Sequence, residues 1–202
     1  MDRLDRLLTA AEPLLSRVDQ VLTAVGAPER HEVWPELRRV RLLPGDAARA
    51  VAALHPAAIA ETVPELRAQA RACVDTADAL PPATSWTGDA AEAYEAARRR
   101  AAERLNVGPD SLSRRMSATA DLADALTDWM TRTRGELAGA LAGVLTSAEA
   151  LTLVADGGFP GSDEVHAAAD VATLLLRTIG DSYDRAEDLL DDALPLKSPQ
   201  PA

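Results

Sequence analysis

The residues best equipped for chemistry are scattered along the chain. His166 and Asp170 stand four apart, a spacing that puts both on one helical face and can hold a metal ion. No third ligand follows the pattern, so the plain expectation is a surface His–Asp pair. His31 and His55 fall in a proline-broken stretch near the N-terminus. Asp181, Asp184, Glu187, Asp188, Asp191 and Asp192 spiral around a helical pattern and lack the loop spacing of a calcium site. There is no phosphate-cradling glycine loop, no Gly-x-Ser-x-Gly elbow and no His-Glu-x-x-His. A catalytic reading therefore finds no convergent set of groups, and neither a cofactor nor a metal is expected. The single cysteine, Cys73, lies on an apolar helical stripe and reads as a small buried hydrophobe.

The remaining candidates are residues of recognition. Only three tryptophans occur, and one of them, Trp86, stands two residues before Gly88 between two alanine-rich helical segments. An indole offers a large amphipathic contact surface, and a glycine lets the backbone turn closely beside it. Tyr183 and Glu187 are one helical turn apart near the end of the last apolar-periodic segment, where a phenol and a carboxylate share a face. Trp34, beside Pro35, reads as a plug fixing the N-terminal part to the rest of the fold.

These groups must be positioned by helices. Hydrophobic content is 47% but aromatics are only 3%, so the core is built from Ala, Leu and Val. No alternating run rich in Val, Ile or Thr marks a strand. Residues 3–25 carry apolar side chains at spacings of three and four, ended by Gly26 and Pro28, with Pro13 a defect within. A short helix to about Leu54 follows Pro44-Gly45, with Asp46 as its cap. Thr62, Pro64 and Glu65 read as a capping box opening a helix that ends at Pro81-Pro82. The next helix presents Ala90, Tyr94, Ala97, Ala101 and Leu105 on one face up to the break at 106–110. A long third segment follows Leu112, Met116, Thr119, Ala123, Leu126, Met130, Thr133 and Leu137 and continues to Leu151. Its Gly135, Gly139 and Gly143 suggest close packing on a neighbouring helix. A final helix runs from about Ser162 to Pro195. The expectation is an all-α fold, an elongated antiparallel helical bundle. Residues 1–60 form an N-terminal helical appendage, 61–195 the bundle, and 196–202 a disordered tail.

Charge narrows the partners. The formal net charge is −11, a poor field for nucleic acid, and the basic stretch Arg98, Arg99, Arg100 and Arg104 reads as a solvated helix face. The N-terminus lacks the apolar core of a secretory signal peptide, and no run of about 18 apolar residues marks a membrane span.

A long helix, then Trp86-x-Gly88, then the Ala-rich "DAAEAY" resembles the Trp-x-Gly helical-hairpin proteins exported by type VII (ESX) secretion systems of high-GC Gram-positive bacteria. The second signal of those systems, Tyr-x-x-x-Asp/Glu, has its counterpart in Tyr183 and Glu187 of "YDRAE". The resemblance implies a non-enzymatic substrate or associated protein, secreted without a signal peptide. The implied partners are a translocase ATPase or chaperone, and either further copies of the chain or a second helical hairpin protein. In many type VII pairs the two signals lie on separate chains; here one chain carries both, as in fused single-chain substrates. The hairpin likeness covers about 62–105 and the last helix, while residues 1–60 match nothing in the small members. The alternative is a cytoplasmic scaffold or adaptor that keeps the hairpin only as architecture.

Helical rise offers a geometric expectation. Helix 89–105 runs roughly 26 Å from the Trp86 turn, and the third segment regains that level near 128–130 and overshoots by roughly 35 Å. The last helix returns to the same level near Tyr183–Glu187. The overshoot needs a cover, and residues 3–25, roughly 34 Å as a helix, are long enough to supply one.

Overall fold

Asp2 starts the first helix, α1 (Arg3–Ala24), through a capping box: the Asp5 N–H donates to Asp2 Oδ1 at 3.0 Å, and the Asp2 N–H to Asp5 Oδ2 at 2.9 Å. Pro13 lies on the exposed side and does not end the helix. Leu4, Ala11, Leu14, Leu15, Val18, Val21 and Leu22 form its buried stripe. Gly26, at φ 83°, turns the chain out of the helix. The computed structural model describes residues 2–85, 87–155 and 158–193. Among these the chain is all-α: α2 (Val33–Val40), α3 (Pro44–Ala52), α4 (Pro56–Ala60), α5 (Val63–Asp78), α6 (Asp89–Ala102), a π-helical turn (Glu103–Val107), α7 (Leu112–Leu145), α8 (Ala148–Ala155) and α9 (Ser162–Asp192). No single described helix is long and apolar enough to cross a membrane.

Contacts divide the chain into two units. Unit one joins the chain up to Pro56 with Asp128–Asp188. Its core draws Leu15, Val18 and Val21 from α1, Val33 from α2, Ala47, Ala48 and Val51 from α3, Leu137, Leu141 and Val144 from α7, Leu153 from α8, and Leu175, Leu176 and Ile179 from α9. The first 56 residues thus share one core with the second half of α7, with α8 and with α9 up to Asp188, rather than forming an appendage bounded at residue 60. Unit two comprises Ala57–Thr127 and the chain from Leu189. Its buried cluster is small: Val63, Ala120 and Ala123, with Ile59 and Leu66 against it. The expected tail, 196–202, lies outside the described residues.

Polar contacts lock unit one where its small side chains leave little apolar area. Arg177 donates to Glu32 Oε2 (2.9 Å) and Glu36 Oε1 (3.1 Å), while Arg39 donates to Glu36 Oε2 (3.3 Å), Asp181 Oδ1 (2.9 Å) and Asp184 Oδ2 (2.5 Å). This ladder ties α2 to α9. Gly180 lets the Arg39 guanidinium lie against the α9 backbone, since a Cβ there would stand 2.8 Å from Nη1.

Several local expectations give way. Asp46 does not cap α3. Leu43 holds the N-cap position without a side-chain bond, and Asp19 of α1 accepts from the Gly45 N–H at 3.1 Å instead. Burial pushes the Asp19 carboxyl above its ordinary value, with the neighbouring Asp46 and Glu12 adding in the same direction and the Gly45 N–H opposing. A raised carboxyl pKa means that the folded state binds the proton more tightly. The associated stability is present below the ordinary carboxylate value of 3.8 and is lost as pH rises through the folded value. Asp19→Asn keeps an oxygen for Gly45 and removes the charge. It is expected to raise the urea midpoint at pH 7, with the gain shrinking towards pH 3.

Thr62 does not form a capping box. It sits in helical geometry with no cap bond, and its hydroxyl donates to Ile59 O at 2.8 Å, because α4 leads almost directly into α5. Cys73 is half-buried rather than buried. On α6 no residue is buried, and Ala90 and Ala97 face solvent: an Ala-rich helix has no strong apolar face, and the Tyr94 hydroxyl bond to Pro81 O ties it to the chain before it instead. The third segment is not continuous to Leu151. It breaks at Thr146-Ser147 with a bend of 66°. Leu112 and Thr119 of the expected seam are exposed, while Ala120 is buried.

Gly135, Gly139 and Gly143 are exposed, and a Cβ added to any of them meets nothing within 4 Å. Their close-packing role fails because the inward face at this level is filled by Leu137, Ala138 and Leu141. Gly135→Ala and Gly139→Ala are each expected to stabilise the protein by about 0.5–1 kcal/mol in urea unfolding, the helix-propensity difference with no clash to oppose it.

Candidate recognition site

Gly88 holds the N-cap position of α6 at φ 88°, ψ −172°, a backbone region that essentially only glycine occupies. The helix ladder starts from it: Ala91 N and Glu92 N donate to Gly88 O at 2.9 and 3.2 Å. Tyr94, in the second turn of α6, donates through its hydroxyl to Pro81 O at 2.7 Å, tying the helix to the end of the preceding segment. Trp86, the partner of Gly88 in the motif, lies outside the described residues. A cleft of about 650 Å³ adjoins the turn, lined by Thr84, Thr87, Gly88, Ala91, Glu95 and Arg99 among others.

Tyr183 and Glu187 belong to unit one, on α9. Tyr183 is half-buried against the main core, and Glu187 is exposed. The aromatic neighbour of Tyr183 is Trp129 of α7, with ring centroids 6.4 Å apart and planes tilted by 35°. The Trp129 indole N–H donates to Ser182 O at 2.7 Å, and the Thr133 hydroxyl donates to Trp129 O at 2.8 Å. With its proton so placed, Thr133 Oγ1 accepts from the Ser182 hydroxyl; Thr133 is 2% exposed and Ser182 0%. Arg185 pairs with Glu136 on the same two helices. Tyr183 is therefore held against the Trp129 ring beside the buried Thr133–Ser182 pair, while Glu187 projects a carboxylate one turn later.

Sequence reasoning passed over Trp129. It stands one position before Met130 in the expected α7 seam, so the seam pattern placed it off the inward face. The available signal was its place four residues before Thr133, the spacing that stacks two side chains on one helical face.

The structure redistributes the candidate metal pair. His166 Nδ1 faces Ser162 O at 2.8 Å, and Asp170 meets His31 Nε2 at 3.2 Å, so the expected His166–Asp170 pair is replaced by one linking α9 to the turn before α2. His31 Nδ1 accepts from the Val33 N–H at 3.2 Å, which leaves Nε2 as the protonated nitrogen facing Asp170. Among the described residues no three His, Cys, Asp or Glu side chains come together to hold a metal. Comparison with family models, with curated proteins and with solved structures finds no match for this chain.

Proposed function

We propose that the chain is a non-enzymatic substrate or associated protein of a type VII (ESX) secretion system, exported without a signal peptide. Its recognition residues are Trp86, Gly88, Tyr183 and Glu187, read by a translocase ATPase or chaperone. The architecture proposed with it is an antiparallel hairpin of α5 and α6 joined through the Trp-x-Gly turn, within an elongated helical bundle. The observation that carries the reading is Gly88: a glycine-only conformation at the point where α6 begins is what a Trp-x-Gly junction requires. Glu187 adds an exposed carboxylate one turn beyond a tyrosine held in place.

A second reading, a cytoplasmic scaffold or adaptor, is favoured by the packing of Tyr183 on Trp129, which gives the tyrosine a purely architectural task. Export separates the two. Wild-type protein is expected in the culture filtrate, and to be lost from it in a strain lacking the translocase ATPase. Trp86→Ala and Glu187→Ala are expected to lower export to that same background with unchanged cellular levels. Glu187 is the sharper probe, because its exposure leaves the fold untouched. Filtrate levels indifferent to the ATPase, or to both substitutions, would leave the scaffold reading.

A further inference from the structure

Unit two contains a groove of about 600 Å³ between α5 and the first half of α7. Arg67 and Arg71 come from one helix, Arg114, Ser117 and Asp121 from the other, and Asn106 from the π-helical turn. Arg67 is committed to the fold: it donates to Asp121 Oδ1 at 3.3 Å and to Asp124 Oδ2 at 2.6 Å, bridging the two helices. Arg71 and Arg114 are exposed and form no ion pair among the described residues. With Arg67 set against both Asp121 and Asp124, Arg71 and Arg114 leave the groove one net positive charge in a chain of net charge −11, against the sign of the whole molecule.

The π-helical turn prepares a third donor. The Ser111 hydroxyl donates to Asn106 O at 3.1 Å and the Ser113 hydroxyl to Asn106 Oδ1 at 3.0 Å, with both serines buried. The first bond anchors the Asn106 main chain and the second fixes the amide oxygen, so that its NH₂ is left to donate elsewhere. Single π-helical turns are frequent at functional sites. The free donors are therefore two guanidinium forks, an amide and the Ser117 hydroxyl.

We propose that this groove binds a small soluble phosphomonoester, with Arg71 and Arg114 gripping the phosphate and Asn106 and Ser117 completing its shell. A phosphomonoester carries a charge of about −1.5 to −2 and three acceptor oxygens at pH 7, which matches the two free cations and the excess of donors better than a single carboxylate does. The volume lies within the range of about 300–1,000 Å³ usual for small-molecule sites, leaving room for the organic part of the ester.

The test is titration of the full chain by calorimetry with phenyl phosphate and glycerol 3-phosphate. Inorganic phosphate and a hexa-aspartate peptide serve as competing probes. Saturable binding of the esters at pH 7.5 is expected, weakening below about pH 6 as the dianion takes up a proton. Arg71→Gln and Arg114→Gln are each expected to weaken it roughly tenfold or more, with unchanged melting temperature. Arg71→Lys, keeping the charge but not the fork, is expected to recover only part of the loss. Four outcomes would overturn the proposal: no saturable ester binding at millimolar concentration, equal binding by both glutamine variants, inorganic phosphate binding as tightly as the esters, or tighter binding of the peptide, which would point to a protein partner.

Discussion

Replacing Arg134 by alanine is expected to lower the unfolding free energy by about 2–3 kcal/mol. The side chain is only 11% exposed, and every N–H it owns is used. Its Nε and Nη2 donate to Asp2 Oδ2 at 3.0 and 2.6 Å, and Nη2 also to Asp5 Oδ1 at 2.9 Å. Its Nη1 donates to the main-chain oxygens of Val51 (3.4 Å), Ala52 and Leu54 (3.1 Å). One guanidinium thus satisfies the carbonyl end of α3, where a helix carries partial negative charge, and the acidic start of α1. Truncation leaves the carbonyl end of α3 without its donor in a poorly hydrated place, while the partly exposed Asp2 and Asp5 carboxylates return to water. Arg134→Lys is expected to recover only part of the loss, because one ammonium cannot span the two groups. Urea unfolding followed by far-ultraviolet circular dichroism measures both.

The same node sets an acid limit. Asp2 and Asp5 are held below the ordinary carboxylate value, first by each other's main-chain N–H in the capping box and then by Arg134. A depressed carboxyl pKa stabilises the fold above the ordinary value of 3.8, and that contribution is lost as pH falls through the folded value. The penalty of Arg134→Ala should therefore be largest near neutrality and smaller in acid, where the carboxylates are protonated. A penalty independent of pH would mean that the carbonyl contacts alone carry the residue.

Helices were legible in the sequence where apolar side chains were large. The stripes Leu14–Leu15–Val18–Val21–Leu22 and Leu175–Leu176–Ile179 can face only one way, and both form the core of unit one. Alanine-rich stretches were less legible. On α6 and the first half of α7, alanine occurs on every side, so periodicity does not choose between Ala90 and Ala91 or between Thr119 and Ala120. Capping was misread for another reason. Asp46 and Thr62 have the right residue type at the right offset, but a donor takes the acceptor that packing brings nearest. For Gly45 that acceptor is Asp19, 26 positions away. The Arg134 node was invisible for the same reason, since local spacing carries no sign of Asp2 at a separation of 132 residues. Of the candidate site, the glycine turn and the tyrosine–glutamate pair were readable from motif and spacing. The aromatic surface behind Tyr183 was not.

Trp129→Ala is expected to cost about 2–3 kcal/mol, less than the roughly 3–5 kcal/mol of core aromatic truncations because the ring is half-buried. Part of that loss is the indole N–H bond to Ser182 O, which then keeps only its helical donor. Trp129→Phe removes that bond and keeps a ring, so it is expected to cost about 1 kcal/mol. A double-mutant cycle with Tyr183→Ala should return a coupling of about 0.5–1.5 kcal/mol, as an aromatic pair at 6.4 Å does. The cycle matters for function because Tyr183 is assigned two tasks, packing and recognition. If it only packs, export should follow stability, and Trp129→Ala should reduce the exported fraction as much as Tyr183→Ala does. If it is also read by a partner, Tyr183→Ala should lower export beyond what its stability loss explains, and Trp129→Phe, which keeps the phenol backed by a ring, should export normally. Glu187→Ala sets the reference point, since the carboxylate is exposed and has no share in the core, so that under the proposed function its loss acts on recognition alone.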